Sequence, residues 1–150
     1  MAYVFESFVR NFYRKELKGF TVKRENLTWM VTALDEISAQ YLPQMQTDVS
    51  LISSDRHIVI DTKYYKEALQ TYYGKQSIRP DNLNQLNSYL DNLTDKDGVD
   101  RRHEGMLLYP AVDYDFKFQY DFKGKQVTVT TIDLSKDWNE IHKALLDVLK

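Results

Sequence analysis

Apolar residues at Val4, Phe5, Phe8, Val9, Phe12, Tyr13 and Leu17 recur at the spacing of one helical face. This predicts an amphipathic helix over 3–17 that Gly19 ends. The stretch GFTVKRE then reads as a strand, and LTWMVTA, around 27–33, as a second. MQTDVSLI and HIVIDTKYY, joined by the polar SSDR, read as two further strands. Val49 and Leu51 alternate with Asp48 and Ser50, which marks a half-buried strand, whereas the unbroken Ile58-Val59-Ile60 marks a central one. Together the two form a hairpin.

Residues 64–80 have no settled period and end at Pro80. Asp81 is a candidate N-cap for a helix over 82–93, whose buried stripe is Leu83, Leu86, Leu90 and Leu93. After the charged loop TDKDGVDRRHEG come three strand patterns, GMLLYPAV, DFKFQYDF and QVTVTTIDL. Ser135 then caps a last helix over 136–149, with Trp138, Ile141, Leu145, Leu146 and Leu149 facing inward. The order helix, strands, helix, strands, helix predicts an α/β fold, a mixed sheet flanked by helices. With no repeat and no linker, residues 1–150 read as a single domain.

Composition narrows the function classes. The absence of cysteine excludes disulfides, thiolate-bound metals and cysteine nucleophiles. No apolar run approaches the roughly 20 residues that span a bilayer, and the first residues are too charged and aromatic for a secretory signal. A cytoplasmic protein with no membrane partner is the expectation. The net charge of -2 argues at face value against nucleic acid, but the charge is segregated. Residues 1–25 hold six basic against three acidic side chains, and 55–80 hold five against three. Residues 81–115 hold three against eight, so the total describes no particular surface.

The sharpest chemical signal lies in the hairpin. Asp61 and Lys63, two residues apart on a strand, point to one face, and the hairpin can bring Asp48 opposite them. Two converging carboxylates are what a hard divalent cation such as Mg²⁺ requires, and a neighbouring lysine can orient a water and offset charge at phosphorus. The pattern therefore predicts metal-assisted phosphodiester hydrolysis; its plain alternative is a surface ion pair at a strand end. Asp61 follows three apolar residues, where a charge needs a partner or a metal.

At this point the chain resembles a known family. LPQMQTDVSL and IVIDTKYY, with FESFVRNFYRK upstream and NLNQLNSYL and GMLLYPAV downstream, resemble the C-terminal nuclease domain of the McrC family, the cleavage subunits of McrBC modified-cytosine restriction systems. More broadly they resemble the PD-(D/E)XK endonucleases. The resemblance implies a restriction-endonuclease-like core, with Asp48 and Asp61 as the motif acids and Lys63 as its lysine. Asp48 follows Thr47 where the motif has proline. Glu6 matches a helical glutamate that adds to the metal site, and Gln85 and Tyr89 match the Gln-x-x-x-Tyr pattern of the RecB-like branch. The implied activity is Mg²⁺-dependent cleavage of double-stranded DNA, with Mn²⁺ as a substitute metal. The implied partner is an McrB-like GTPase motor, with no nucleotide held by this chain. Family members carry a further N-terminal region that engages the motor, whereas this chain starts at the nuclease helix; an excised domain or a short homologue is expected, and motor binding stays open. Double-strand cleavage needs two sites, which leaves a dimer open. Two other readings also stay open: a non-catalytic DNA-binding or assembly module of the same fold, and a RecB-like nuclease of DNA repair.

Segment 64–80 places Lys66, Lys75 and Arg79 among Tyr64, Tyr65, Tyr72 and Tyr73. Basic groups hold phosphates and tyrosines stack on bases, so Lys66, Lys75, Arg79, Tyr64 and Tyr65 are the candidate DNA contacts; tyrosines packed on the sheet are the alternative. Gly74-Lys75-Gln76-Ser77 lacks the upstream glycine and following hydroxyl of a phosphate loop. His57, His103 and His142 have no metal-ligand spacing and read as structural or solvated. Asp113 and Asp115 read as turn residues between strands.

Overall fold

In the computed structural model, which describes residues 1–64, 69–72, 74–112 and 114–150, the first apolar stripe forms α1 (Ala2–Glu16). Phe5, Val9, Phe12 and Tyr13 are buried along it, while Val4 stays 58% exposed and lies outside the stripe. The chain then lays down β1 (Thr21–Lys23), β2 (Asn26–Leu27), α2 (Glu36–Gln40), β3 (Met45–Gln46), β4 (Val49–Ile52) and β5 (Arg56–Thr62). A small hairpin, β6 (Leu69–Tyr72) with β7 (Lys75–Ile78), leads to α3 (Pro80–Asp91). The remainder is β8 (Arg102–Ala111), β9 (Lys117–Phe122), β10 (Lys125–Asp133) and α4 (Trp138–Asp147).

Six strands form one mixed sheet in the order β1-β4-β5-β8-β10-β9. The three central strands β5, β8 and β10 run parallel, and β1, β4 and β9 are antiparallel to their neighbours. Parallel strands are buried on both faces, which is why Ile58-Val59-Ile60 and Met106-Leu107-Leu108 read as unbroken apolar runs. Alternation then sorts them. Ile58, Ile60, Met106 and Leu108 meet α1 and α4, whereas Val59, Leu107 and Tyr109 meet Leu86, Tyr89 and Leu90 of α3. Tyr13 ties the first layer together by donating its hydroxyl to the Leu145 carbonyl at 2.7 Å. On the other face α3 lies so near the sheet that a Cβ on Gly105 of β8 would sit 2.9 Å from Leu90 Cδ1.

The fold class is the one the pattern predicts, with several local corrections. The strand expected over 27–33 shrinks to β2, paired with β3 in a separate two-stranded sheet, and Met30 and Val31 are exposed. Those apolar residues have no sheet neighbour to pack on. Helix α2 carries a cap that periodicity does not signal: Asp35 accepts from the Ser38 N–H at 2.6 Å. Within 64–80 the described residues form the β6–β7 hairpin, which turns at Gly74 with φ of 75°. Helix α3 is capped by Arg79, not Asp81; Pro80 sits in its first turn, and Asp81 is a first-turn acid. Helix α4 starts from Asp137, not Ser135, because the Asp137 carboxylate accepts from the Glu140 N–H at 2.9 Å. Trp138, expected inside, is 53% exposed and lies edge-on to Phe8 and Phe12. Asp113 lies outside the described residues. No helix among the described residues is long and apolar enough to cross a membrane.

Candidate active site

The C-terminal end of β5 gathers acidic side chains from three elements. Asp61 is on β5 with its side chain toward α3, and Asp48 immediately precedes β4, the antiparallel partner of β5. Glu6 comes from α1. Register pairs Val49 with Ile60, which sets Asp48 opposite Asp61 at the end of β5. There the Thr62 backbone N–H and hydroxyl both donate to Asp48 Oδ2, at 2.9 and 3.0 Å. Arg10, one turn after Glu6, donates from Nη1 to Glu6 Oε2 at 2.9 Å and to the Asp48 carbonyl at 3.1 Å. One guanidinium therefore fixes α1 against the start of β4. Arg24 Nε stands 3.8 Å from the same Glu6 oxygen.

The three carboxylates feel one another. Burial, then the nearby Asp48 carboxylate, raise the pKa of Glu6. Burial, then the negative charge of Asp61, raise that of Asp48, although the Thr62 donors pull the other way. Burial also raises the pKa of Asp61, against the opposing pull of Lys63. Asp61 is only 2% exposed, and its Oδ2 accepts no hydrogen bond even though Lys63 Nζ stands 3.2 Å away. A buried carboxylate oxygen without an aligned donor is costly, so Asp61 Oδ2 has room for a further positive partner beside Lys63.

Lys63 is aimed by α3. Its ammonium donates to Gln85 Oε1, Gln85 Nε2 donates to the Tyr89 hydroxyl at 2.9 Å, and that hydroxyl donates to the Gln46 carbonyl at 3.2 Å. The chain of bonds fixes the amide: its nitrogen faces Tyr89, so its oxygen faces Lys63. Burial, then the Asp61 charge, push the Tyr89 phenol up to about 12, which keeps it protonated and able to donate. Gln85 and Tyr89 share a face of α3 because they are four residues apart.

The structure thus brings Glu6, Asp48, Asp61, Lys63, Gln85 and Tyr89 together. It does not bring in every residue named from the sequence. Tyr64 follows Lys63 and is exposed, with its ring 6.3 Å from Phe5. Lys75 is exposed on β7, and Arg79 caps α3 half-buried. Tyr65, Lys66 and Tyr73 lie outside the described residues. Sequence reasoning missed Arg10 and Thr62. Arg10 had one signal, its place four residues after Glu6; Thr62 had none, since its role depends on strand register. Of the histidines read as structural or solvated, His57 is buried and bonded at both ring nitrogens. His57 and His103 converge on Asp95, and their three donor atoms lie within 4.8 Å of one another.

A mixed six-stranded sheet with helices on both faces, and acids at the end of its central strand, defines an α/β protein of the restriction-endonuclease-like class. The family described as McrBC 5-methylcytosine restriction system component matches residues 1–110. A relative from Escherichia coli (strain K12), the type IV methyl-directed restriction enzyme EcoKMcrBC, is 32% identical over 148 residues. The chain belongs to this McrBC family. That alignment covers 99% of the chain and 42% of the relative, so the chain spans less than half the length of the protein it matches.

Proposed function

We propose that residues 1–150 act as one metal-dependent endonuclease domain, the cutting component of a GTP-dependent restriction system directed at modified cytosine in double-stranded DNA. The observation that carries this reading is the trio of crowded carboxylates around the donorless Asp61 Oδ2, with Lys63 held beside it. The donor set fits a hard cation in kind, since it is all oxygen and all carboxylate. Asp48, Asp61 and Glu6 would hold Mg²⁺, with Mn²⁺ as a substitute. Bound there, the ion would neutralise the carboxylates so that an anionic phosphodiester can approach, and polarise its phosphorus–oxygen bonds.

The remaining roles belong to the chain. Lys63, anchored between Asp61 and Gln85, orients a water toward phosphorus and offsets the negative charge that grows there. Gln85 and Tyr89 position Lys63 through the relay to the Gln46 carbonyl. Arg10 keeps Glu6 on the site side of α1. Tyr64, Lys75 and Arg79, together with Tyr65 and Lys66, supply the DNA-facing surface. An McrB-like GTPase subunit in the cytoplasm delivers the substrate, since a chain of net charge -2 has little unaided affinity for DNA.

The test is cleavage of methylated duplex DNA by the chain assembled with an McrB-type motor, GTP and Mg²⁺. Asp61→Ala and Lys63→Ala should each reduce cleavage by about 1,000-fold or more while circular dichroism stays unchanged. Chelation should abolish cleavage and Mg²⁺ restore it. Full activity in either folded variant overturns the assignment and favours a non-catalytic module of the same fold.

A further inference from the structure

The opposite end of β5 carries a second cluster with different chemistry. His57 and His103 are register partners on the parallel strands β5 and β8, so their side chains stand side by side. Their rings are 5.6 Å apart and edge-on. Asp95, in the loop after α3, presents one oxygen to each ring: Oδ1 lies 2.8 Å from His57 Nδ1, and Oδ2 lies 2.9 Å from His103 Nε2.

The other nitrogen of His57 gives this trio its meaning. His57 is 1% exposed, and its Nε2 lies 2.8 Å from Glu25 Oε1. A carboxylate accepts only, so Nε2 carries a proton. Nδ1 faces Asp95 Oδ1 in the same way, so the metal-free ring carries both protons and donates to both carboxylates, and a metal ion bound here takes the place of the Nδ1 proton. A carboxylate behind the outer nitrogen is the usual support of a metal-bound imidazole, because it fixes the tautomer and strengthens the inner nitrogen as a ligand. Two imidazole nitrogens and one carboxylate oxygen suit a borderline ion of the Zn²⁺ type, in contrast to the all-carboxylate donors around Asp48. Arg101 also approaches Asp95, at 3.3 Å, but Asp97 engages its guanidinium through two bonds of 2.8 Å. A cleft of about 420 Å³, bordered by Glu25, His57, Thr94, Asp95 and Asp97, gives an ion a path from solvent.

We propose that His57, Asp95 and His103 form a binding site for a transition-metal ion of the Zn²⁺ class, with Glu25 positioning His57. Three protein ligands leave a further position for water. The ion ties the loop around Asp95 to β5 and β8, away from the carboxylates of the candidate active site.

The chelator-treated protein, kept in millimolar Mg²⁺ to occupy the carboxylate site, is titrated with Zn²⁺ by calorimetry and with Co²⁺ by visible absorption. One ion per chain is expected to bind, and Co²⁺ should give the intense bands of tetrahedral geometry. His103→Ala and Asp95→Asn should each weaken Zn²⁺ binding at least tenfold, and Glu25→Gln by about 10–100-fold. Asp48→Asn should leave it unchanged. His103 and Asp95 serve as the tested ligands because a change at buried His57 threatens the fold; circular dichroism checks each variant. The proposal is overturned if the unaltered chain takes up no Zn²⁺ at micromolar concentration. Binding that persists undiminished in folded His103→Ala and Asp95→Asn, or that is lost in Asp48→Asn, overturns it equally.

Discussion

Strand β5 ends in two clusters of ionisable groups that solve opposite problems. At its C-terminal end, Glu6, Asp48 and Asp61 crowd together, and each has its pKa raised by burial and, for Glu6 and Asp48, by a neighbouring carboxylate. At its N-terminal end, burial works against Glu25 and Asp95, but the histidines they contact outweigh it and hold both acids below the usual carboxylate range. The acids around His57 are satisfied by cations of the chain itself. The acids around Asp61 have Lys63, Arg10 and Arg24, yet burial and mutual repulsion still raise their pKa. One strand therefore carries a strained anionic site and a relaxed, charge-balanced one, and only the first gains stability when an acid is neutralised.

The largest effect should come from testing that asymmetry at the strained end. Asp48→Asn is expected to reduce cleavage by about 1,000-fold. The same change should raise stability by about 1 kcal/mol, read as a rise in melting temperature of roughly 3 °C in metal-free buffer. A loss of stability would show that the crowded carboxylates carry no cost. At the other end, His57→Ala should cost about 3 kcal/mol, because it removes the buried partner of Glu25 and one of the partners of Asp95, which keeps His103 and Arg101. Urea denaturation measures this, and a change under 1 kcal/mol would mean the network is ornamental to folding.

A smaller effect concerns pH. Glu104, beside the same end of β5, is raised by burial but held below the usual glutamate range by the bidentate Arg56 contacts at 2.7 and 2.9 Å. A depressed acid contributes stability above its unfolded pKa and loses it as pH falls through its folded value. Melting temperature should therefore drop on acidification below the ordinary glutamate range, and Arg56→Gln should flatten that drop. The smallest effect is expected from Thr62→Val, which removes one of the two donors to Asp48 Oδ2 and should cost about 1 kcal/mol or less by thermal melting.

Much of this organisation was legible in the sequence, for identifiable reasons. The apolar run Ile58-Val59-Ile60 placed β5 at the centre, and strict alternation put Asp61 and Lys63 on one face. Helical spacing joined Gln85 to Tyr89. The parts that stayed hidden depend on contacts between distant segments. His57 and His103 are 46 positions apart and meet only because β5 and β8 pair in parallel with that register. The hairpin β6–β7 pairs outside the main sheet and meets the core through Ile78, so it shows no apolar period. The cap of α4 falls on Asp137 and not on Ser135 because the Asp137 carboxylate is the one that reaches a free N–H, that of Glu140.

Gly105 shows how far a site can depend on a residue that never touches it. Its missing side chain lets Leu86 and Leu90 settle against β8. Those leucines flank Gln85 and Tyr89 on the next positions of α3, so the distance from the sheet to the helix is also the distance over which Gln85 meets Lys63. A single methyl group at position 105 would meet the tips of Leu86 and Leu90, and whatever part of that crowding the two side chains fail to absorb would press α3 away from the sheet and lengthen that bond. In a mutational survey such a change would register as lost function with each of the clustered acids and Lys63 intact.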